Sequence, residues 1–172
     1  MFDRPQAGEF LPYYATYIDQ VPDGDVLDLL ATQIGETERL IRTFLPDREA
    51  YRYAPDKWSV REVLGHIIDA EWVFSLRALW FARSDPSPLP GFDQDIWAEA
   101  SNAGDRPLED LLREWRALRA ANLETFRGLG SDVAMRRGVA NGYEVTVRAL
   151  IWVTAGHERH HQRLLRERYG AA

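Results

Sequence analysis

The sequence predicts an all-α fold, a four-helix bundle, and three observations carry that expectation. Apolar residues recur at helical spacing in four long segments, and Pro- and Gly-containing stretches separate those segments. Strand signals, such as clean apolar/polar alternation bounded by tight Asn-Gly hairpins, are missing throughout. The chain has 172 residues and 45% hydrophobic content, the size of one domain with one sizeable core, so residues 1–172 are expected to fold as a single unit. Helices of roughly 20 to 25 residues, each with an apolar stripe, bury those stripes best against one another.

Before the first helix, Tyr13-Tyr14-Ala15-Thr16-Tyr17-Ile18 is too apolar for a free tail and is expected to pack against the bundle end. The first segment follows Pro22-Asp23-Gly24, with Asp25 as N-cap, and runs through Leu29, Leu30, Ile34, Leu40, Ile41 and Phe44 until Pro46 stops it. The second has the clearest start signal: Ser59 and Glu62 are spaced as a capping box, and Trp58 and Val63 as a hydrophobic staple. It continues to about Arg83. Residues 84–104, rich in Pro and Asp, are long enough to cross the bundle between the second and third helices, with a short helical turn near Ile96-Trp97-Ala98. The third segment begins around Asp105-Arg106-Pro107, where Pro suits a first helical turn, and ends at Gly128 or Gly130. After Asn141-Gly142 the fourth starts, with Thr146 as candidate cap, and it reaches Tyr169-Gly170.

Composition narrows the function. With 28% charged and 12% aromatic residues the chain is neither disordered nor membrane-embedded, and no apolar stretch approaches a spanning helix. The absence of cysteine removes disulfides, thiolate nucleophiles and Cys-held metals, so any metal must rest on His, Asp or Glu. A net charge of −6 offers no footprint for nucleic acid or an anionic bilayer, which leaves a small-molecule substrate or a protein partner. Met1-Phe2-Asp3-Arg4-Pro5 does not read as a signal peptide, and the cytoplasm is the expected compartment. Lys57 is the sole lysine; the arginines are scattered among acids and read as coding bias in preference to phosphate recognition.

The histidines carry the chemistry. There are four, and His157, His160 and His161 fall close together near the C-terminus. At 3.6 residues per turn, His157 and His161 share a helix face, and it is the apolar one through Leu150, Val153 and Leu164. His66 likewise interrupts the stripe Val63, Ile67, Ala70, Phe74 of the second segment. Imidazoles set into apolar stripes need something to take their lone pairs. A divalent cation does so, and three neutral nitrogens from His66, His157 and His161 would leave a fourth position open, as in a catalytic site. Gly65 and Gly156 precede two of the candidate ligands, which suggests close approach of the second and fourth helices, room for a substrate over the metal, or neutral drift.

His157-Glu158-Arg159-His160-His161 also satisfies the H-E-x-x-H pattern, in which the glutamate is the general base of a zinc peptidase. Against that reading, few residues follow His161 to supply a third ligand, and the accompanying sheet has no counterpart. Glu158 stays a candidate base, with a solvated helix-face carboxylate as the alternative. His160 stays a candidate proton shuttle, competing ligand or flanking residue. Asp69 could orient an imidazole, and Glu71 and Arg77 could pair structurally. Trp72, Phe74, Trp80 and Phe81 suit core or dimer packing.

Taken together, Leu11-Pro12-Tyr13-Tyr14, the run Trp58 to His66 and the run Ala155 to His161 resemble the DinB/YfiT-like superfamily of metal-binding four-helix bundles. The resemblance implies an up-down-down-up order and one zinc or nickel ion near a bundle end, on positions matching His66, His157 and His161. It further implies a metal-dependent hydrolase, or a transferase attaching a low-molecular-weight thiol such as bacillithiol to a small electrophile, and a homodimer. A non-catalytic metal-binding bundle is the alternative.

Overall fold

The computed structural model describes residues 2–44 and 48–170. Four long helices form the bundle, each starting near its sequence signal. A 3-10 turn at Pro12–Tyr14 leads into the short α1 (Ala15–Ile18). Helix α2 (Val26–Ile41) is capped by the Asp25 carboxylate, which accepts from the Leu27 and Asp28 amides. It ends before the expected Pro46 stop, which lies outside the described residues.

The capping box of α3 (Val60–Ala82) closes in both directions. Ser59 Oγ accepts from the Glu62 amide at 3.3 Å, and Glu62 Oε2 accepts from the Ser59 amide at 2.6 Å. The crossover contains α4 (Gln94–Ala100), covering the expected Ile96-Trp97-Ala98 turn. In α5 (Leu108–Arg127) Pro107 takes the N-cap position and not the first turn. Helix α6 (Val147–Tyr169) opens on Thr146, whose Oγ1 accepts from the Ala149 amide at 3.2 Å.

One expectation is corrected. Asn141-Gly142 is the turn of a β-hairpin, joining the antiparallel strands β1 (Arg137–Ala140) and β2 (Tyr143–Thr146). Asn141 and Gly142 have φ of 52° and 79°, the left-handed pair that a two-residue hairpin needs to match strand twist.

Among the long helices, α3 packs on α6 and α5, and α2 packs on α5 and α6. The order around the bundle is therefore α2, α5, α3, α6, which puts the consecutive α2 and α3 on one diagonal and α5 and α6 on the other. In this up-down-down-up arrangement the neighbours α3 and α5 run the same way, so the chain between them must travel back along the bundle. The α3–α6 seam is the most extensive helix contact, and it carries the site. No helix among the described residues is long and apolar enough to cross a membrane.

Candidate metal centre

His66 reaches the α3–α6 seam a little under two turns into α3, downstream of the capping box that fixes the start of that helix. His157 and His161 stand one turn apart on α6. The three rings are 4, 5 and 6% exposed in that order. His157 Nε2 lies 3.0 Å from His66 Nε2 and 3.2 Å from His161 Nε2, and one nitrogen from each ring falls within 4.8 Å of the others. The structure thus brings together the three histidines singled out by their spacing.

The donor set fits a divalent cation. Burial, with repulsion from His160 second, pushes His66 down to about 4. Burial, followed by the charges of neighbouring imidazoles, holds His157 and His161 well below 6.5. All three are neutral near pH 7, and a neutral imidazole has one lone pair to give. Two separate Nε2 atoms approach His157 Nε2, and one N–H cannot serve both contacts. Three nitrogens at about 2.0–2.1 Å from one ion would stand about 2.9 to 3.4 Å apart for octahedral to tetrahedral angles, which brackets the observed spacings. His161 Nδ1 is buried without a hydrogen-bond partner among the described residues.

Aromatic rings wall the site. Trp58 lies over His66 with ring centroids 4.6 Å apart, Tyr17 meets His157 edge-on at 5.3 Å, and Phe74 meets it at 5.7 Å. Tyr17 belongs to α1, and Gly156 lets that helix in: a Cβ there would collide with the Tyr17 carbonyl. At Gly65 a Cβ would stand 2.6 Å from Ala103 Cβ in the 3-10 turn Ala103–Asp105. Close approach is therefore the reason for both glycines, although the partners are α1 and the crossover, and not α3 against α6.

A cavity of about 580 Å³ opens on His66 and His161, with Tyr13, Tyr17, Tyr53 and Trp58 among its walls and Lys57 and Asp95 also lining it. His160 is half-buried on this cavity, 5.4 Å from Tyr17 and 5.1 Å from His161 between ring centroids. Burial, followed by Arg163, lowers its pKa.

The remaining acidic candidates are not brought to the cavity. Glu158, 1% exposed, accepts from Arg119 Nη2 at 2.8 Å and from Thr37 Oγ1 at 2.5 Å, inside the bundle. Asp69 borders a separate cleft with Arg106 and Glu114; burial, then Glu114, pushes it up to about 6. Glu71 pairs with Arg119, whereas Arg77 donates to the Pro90 carbonyl, so the expected Glu71–Arg77 pair does not form. Sequence reasoning missed Tyr17, Tyr53 and Trp58 as site walls. The apolar run at 13–18 and the staple tryptophan were the available signals, and both read as packing.

Residues 29–165 match the family model described as the DinB superfamily. The fold is similar to that of YfiT from Bacillus subtilis, described as a probable metal-dependent hydrolase with an unusual four-helix bundle topology; the TM-score is 0.72 at 15% identity, over 99% of this chain and 95% of that one. It is also similar to the mycothiol-dependent maleylpyruvate isomerase, with TM-score 0.68 and 12% identity over 90% of this chain, which spans 63% of that protein. A DinB-like protein from Bacillus subtilis matches with TM-score 0.57 and 20% identity, over 83% of this chain and 87% of its own. These likenesses are of fold. A comparison with curated proteins gives no match.

Proposed function

Since the chain belongs to the DinB superfamily, we propose that it is a metal-dependent enzyme in which His66, His157 and His161 hold one divalent cation, zinc or nickel. The observation that carries this reading is the convergence of three buried, neutral imidazoles, with the Nε2 atoms of His66 and His161 3.0 and 3.2 Å from that of His157 and both of these rings bordering a cavity. A cation held by these three imidazoles would supply Lewis-acid chemistry for activating a water or a low-molecular-weight thiol toward a small electrophile.

The chain's own residues do the rest. The three imidazoles contribute no charge, which leaves the cation's full field to act on the cavity. Trp58, Tyr17 and Phe74 exclude water from the ligand rings and hold their planes. His160, neutral and facing the cavity, accepts the proton that the nucleophile gives up and passes it to solvent. Glu158 is a poor base for this site, because its oxygens are occupied by Arg119 and Thr37; the peptidase reading loses its base with it. Hydrolase and thiol transferase would share this machinery; similarity to YfiT supports the first, and similarity to the mycothiol-dependent isomerase supports the use of a low-molecular-weight thiol. A homodimer is supported by Trp72 and Leu76, one turn apart on α3 and 54 and 51% exposed.

Protein purified without chelators is expected to contain close to one divalent ion per chain by elemental analysis. Alanine at His66, His157 or His161 should abolish it. Incubation with model electrophiles, with and without candidate thiols, then separates transferase from hydrolase. A metal-loaded protein inactive in both series is a binding protein, and a protein that acquires no metal overturns the reading.

A further inference from the structure

Inside the bundle lies a cluster of charged side chains that the chemistry above leaves idle. Arg119 on α5 donates through Nε and Nη2 to the two oxygens of Glu71 on α3, both at 2.8 Å. Its Nη2 also donates to Glu158 Oε2 on α6 at 2.8 Å, and Nη1 to the Leu30 carbonyl on α2. Trp115 Nε1 and Asn122 Nδ2 complete Glu71, while Thr37 Oγ1, itself an acceptor from Gln162, completes Glu158. The side chains of Arg119, Glu71 and Glu158 are 3, 2 and 1% exposed.

Two buried carboxylates face one guanidinium, so with both ionised they outnumber the one cation that pairs with them. Arg77, the other buried guanidinium, donates to the Pro90 carbonyl and starts six residues, about 9 Å, farther along α3 than Glu71. An excess buried charge is costly, and three helices could be held together at least as well by apolar side chains of similar volume. A purely structural role therefore explains the hydrogen bonds but not the charge. The two carboxylates stand on the helices that bear the candidate ligands: Glu158 directly follows His157, and Glu71 is five residues past His66. In a water-excluded interior, attraction between such a cluster and a dication is weakly screened.

We propose that the Glu71–Arg119–Glu158 cluster is a built-in countercharge for the cation on His66, His157 and His161, raising the affinity of a ligand set that has no charge of its own. This inference rests on the metal-site reading. It makes Glu158 a positioning and affinity-setting residue, in place of the base that its H-E-x-x-H spacing suggests.

The test is zinc affinity, measured by competition with a chromophoric chelator at fixed pH and salt, with circular dichroism and thermal melting as checks on folding. Glu158→Gln and Glu71→Gln keep side-chain size and remove one charge each. Thr37→Val removes a hydrogen bond and keeps the charge. Each Gln variant is expected to weaken zinc binding about tenfold or more in protein that circular dichroism shows to be folded, whereas Thr37→Val stays within about threefold. Gln variants that bind zinc like the parent, or a Thr37→Val as weak as Glu158→Gln, overturn the inference. Should Glu158→Gln not fold, Glu71→Gln decides alone. A parent protein without zinc affinity defeats the metal reading instead, a distinguishable result.

Discussion

His66, His157 and His161 stay unprotonated well into acid because burial penalises the imidazolium form in all three. Imidazoles in the open would surrender a metal near pH 6.5, where protons begin to compete. With His66 held down at about 4 and the other two also lowered, competition is displaced to lower pH. Equilibrium dialysis should find the ion retained at pH 5.5 and lost toward pH 4; loss near pH 6.5 would contradict the burial argument. The sign for the metal-free fold follows the same shift. Between about 6.5 and 4 the unfolded chain binds protons on His66 that the folded chain does not, so folding stability is fully present above that window and declines as pH falls through it. The candidate ligands were legible in the sequence because His157 and His161 share an apolar stripe at a four-residue spacing and His66 interrupts another. Glu158 was not, since its neighbour on the chain says nothing of what waits 100° around the helix, and that partner, Arg119, comes from another helix.

Elements meet the site through glycine. Replacing Gly156 with alanine forces α1 away from α6, and the expected cost is about 1–3 kcal/mol, read from denaturant unfolding, together with loss of the Tyr17 contact to His157. Gly65→Ala presses on Ala103 Cβ and should cost a similar amount through displacement of the crossover. Ser59→Ala removes one arm of the capping box and should cost about 1 kcal/mol. Helix starts at Asp25, Ser59 and Thr146 were readable because a cap is a local bargain between one side chain and the next turn. The hairpin was not. Its turn signal, Asn141-Gly142, was present, but four-residue strands are too short to show clear alternation, and they draw further hydrogen bonds from distant chain, the Leu89 amide donating to the Val139 carbonyl and the Thr146 amide to the Glu9 carbonyl. Tyr17 escaped for the same reason, being carried to the imidazoles by an approach that only the packed bundle defines.

For the molecule as a whole, a ligand bound only by the folded state adds stability by mass action, about 2.7 kcal/mol at a hundredfold excess over Kd. For a chain of this length that corresponds to a melting temperature roughly 5–10 °C higher with zinc than after chelation, by calorimetry. Sedimentation analysis should find a dimer, and Trp72→Glu with Leu76→Glu should convert it to monomer with the site intact; an unchanged mass would remove the α3 face from consideration. The diagonal placement of consecutive helices has a kinetic consequence. His66 and His157 are 91 residues apart along the chain, and no helix hairpin brings them near each other; only the closed bundle does. His157 and His161 meet within α6 itself, but long loops must be closed before His66 joins them, so the ion cannot hold all three nitrogens during the early steps of folding. Zinc should therefore leave the refolding rate nearly untouched and slow unfolding instead, acting as a latch fitted after the door is shut.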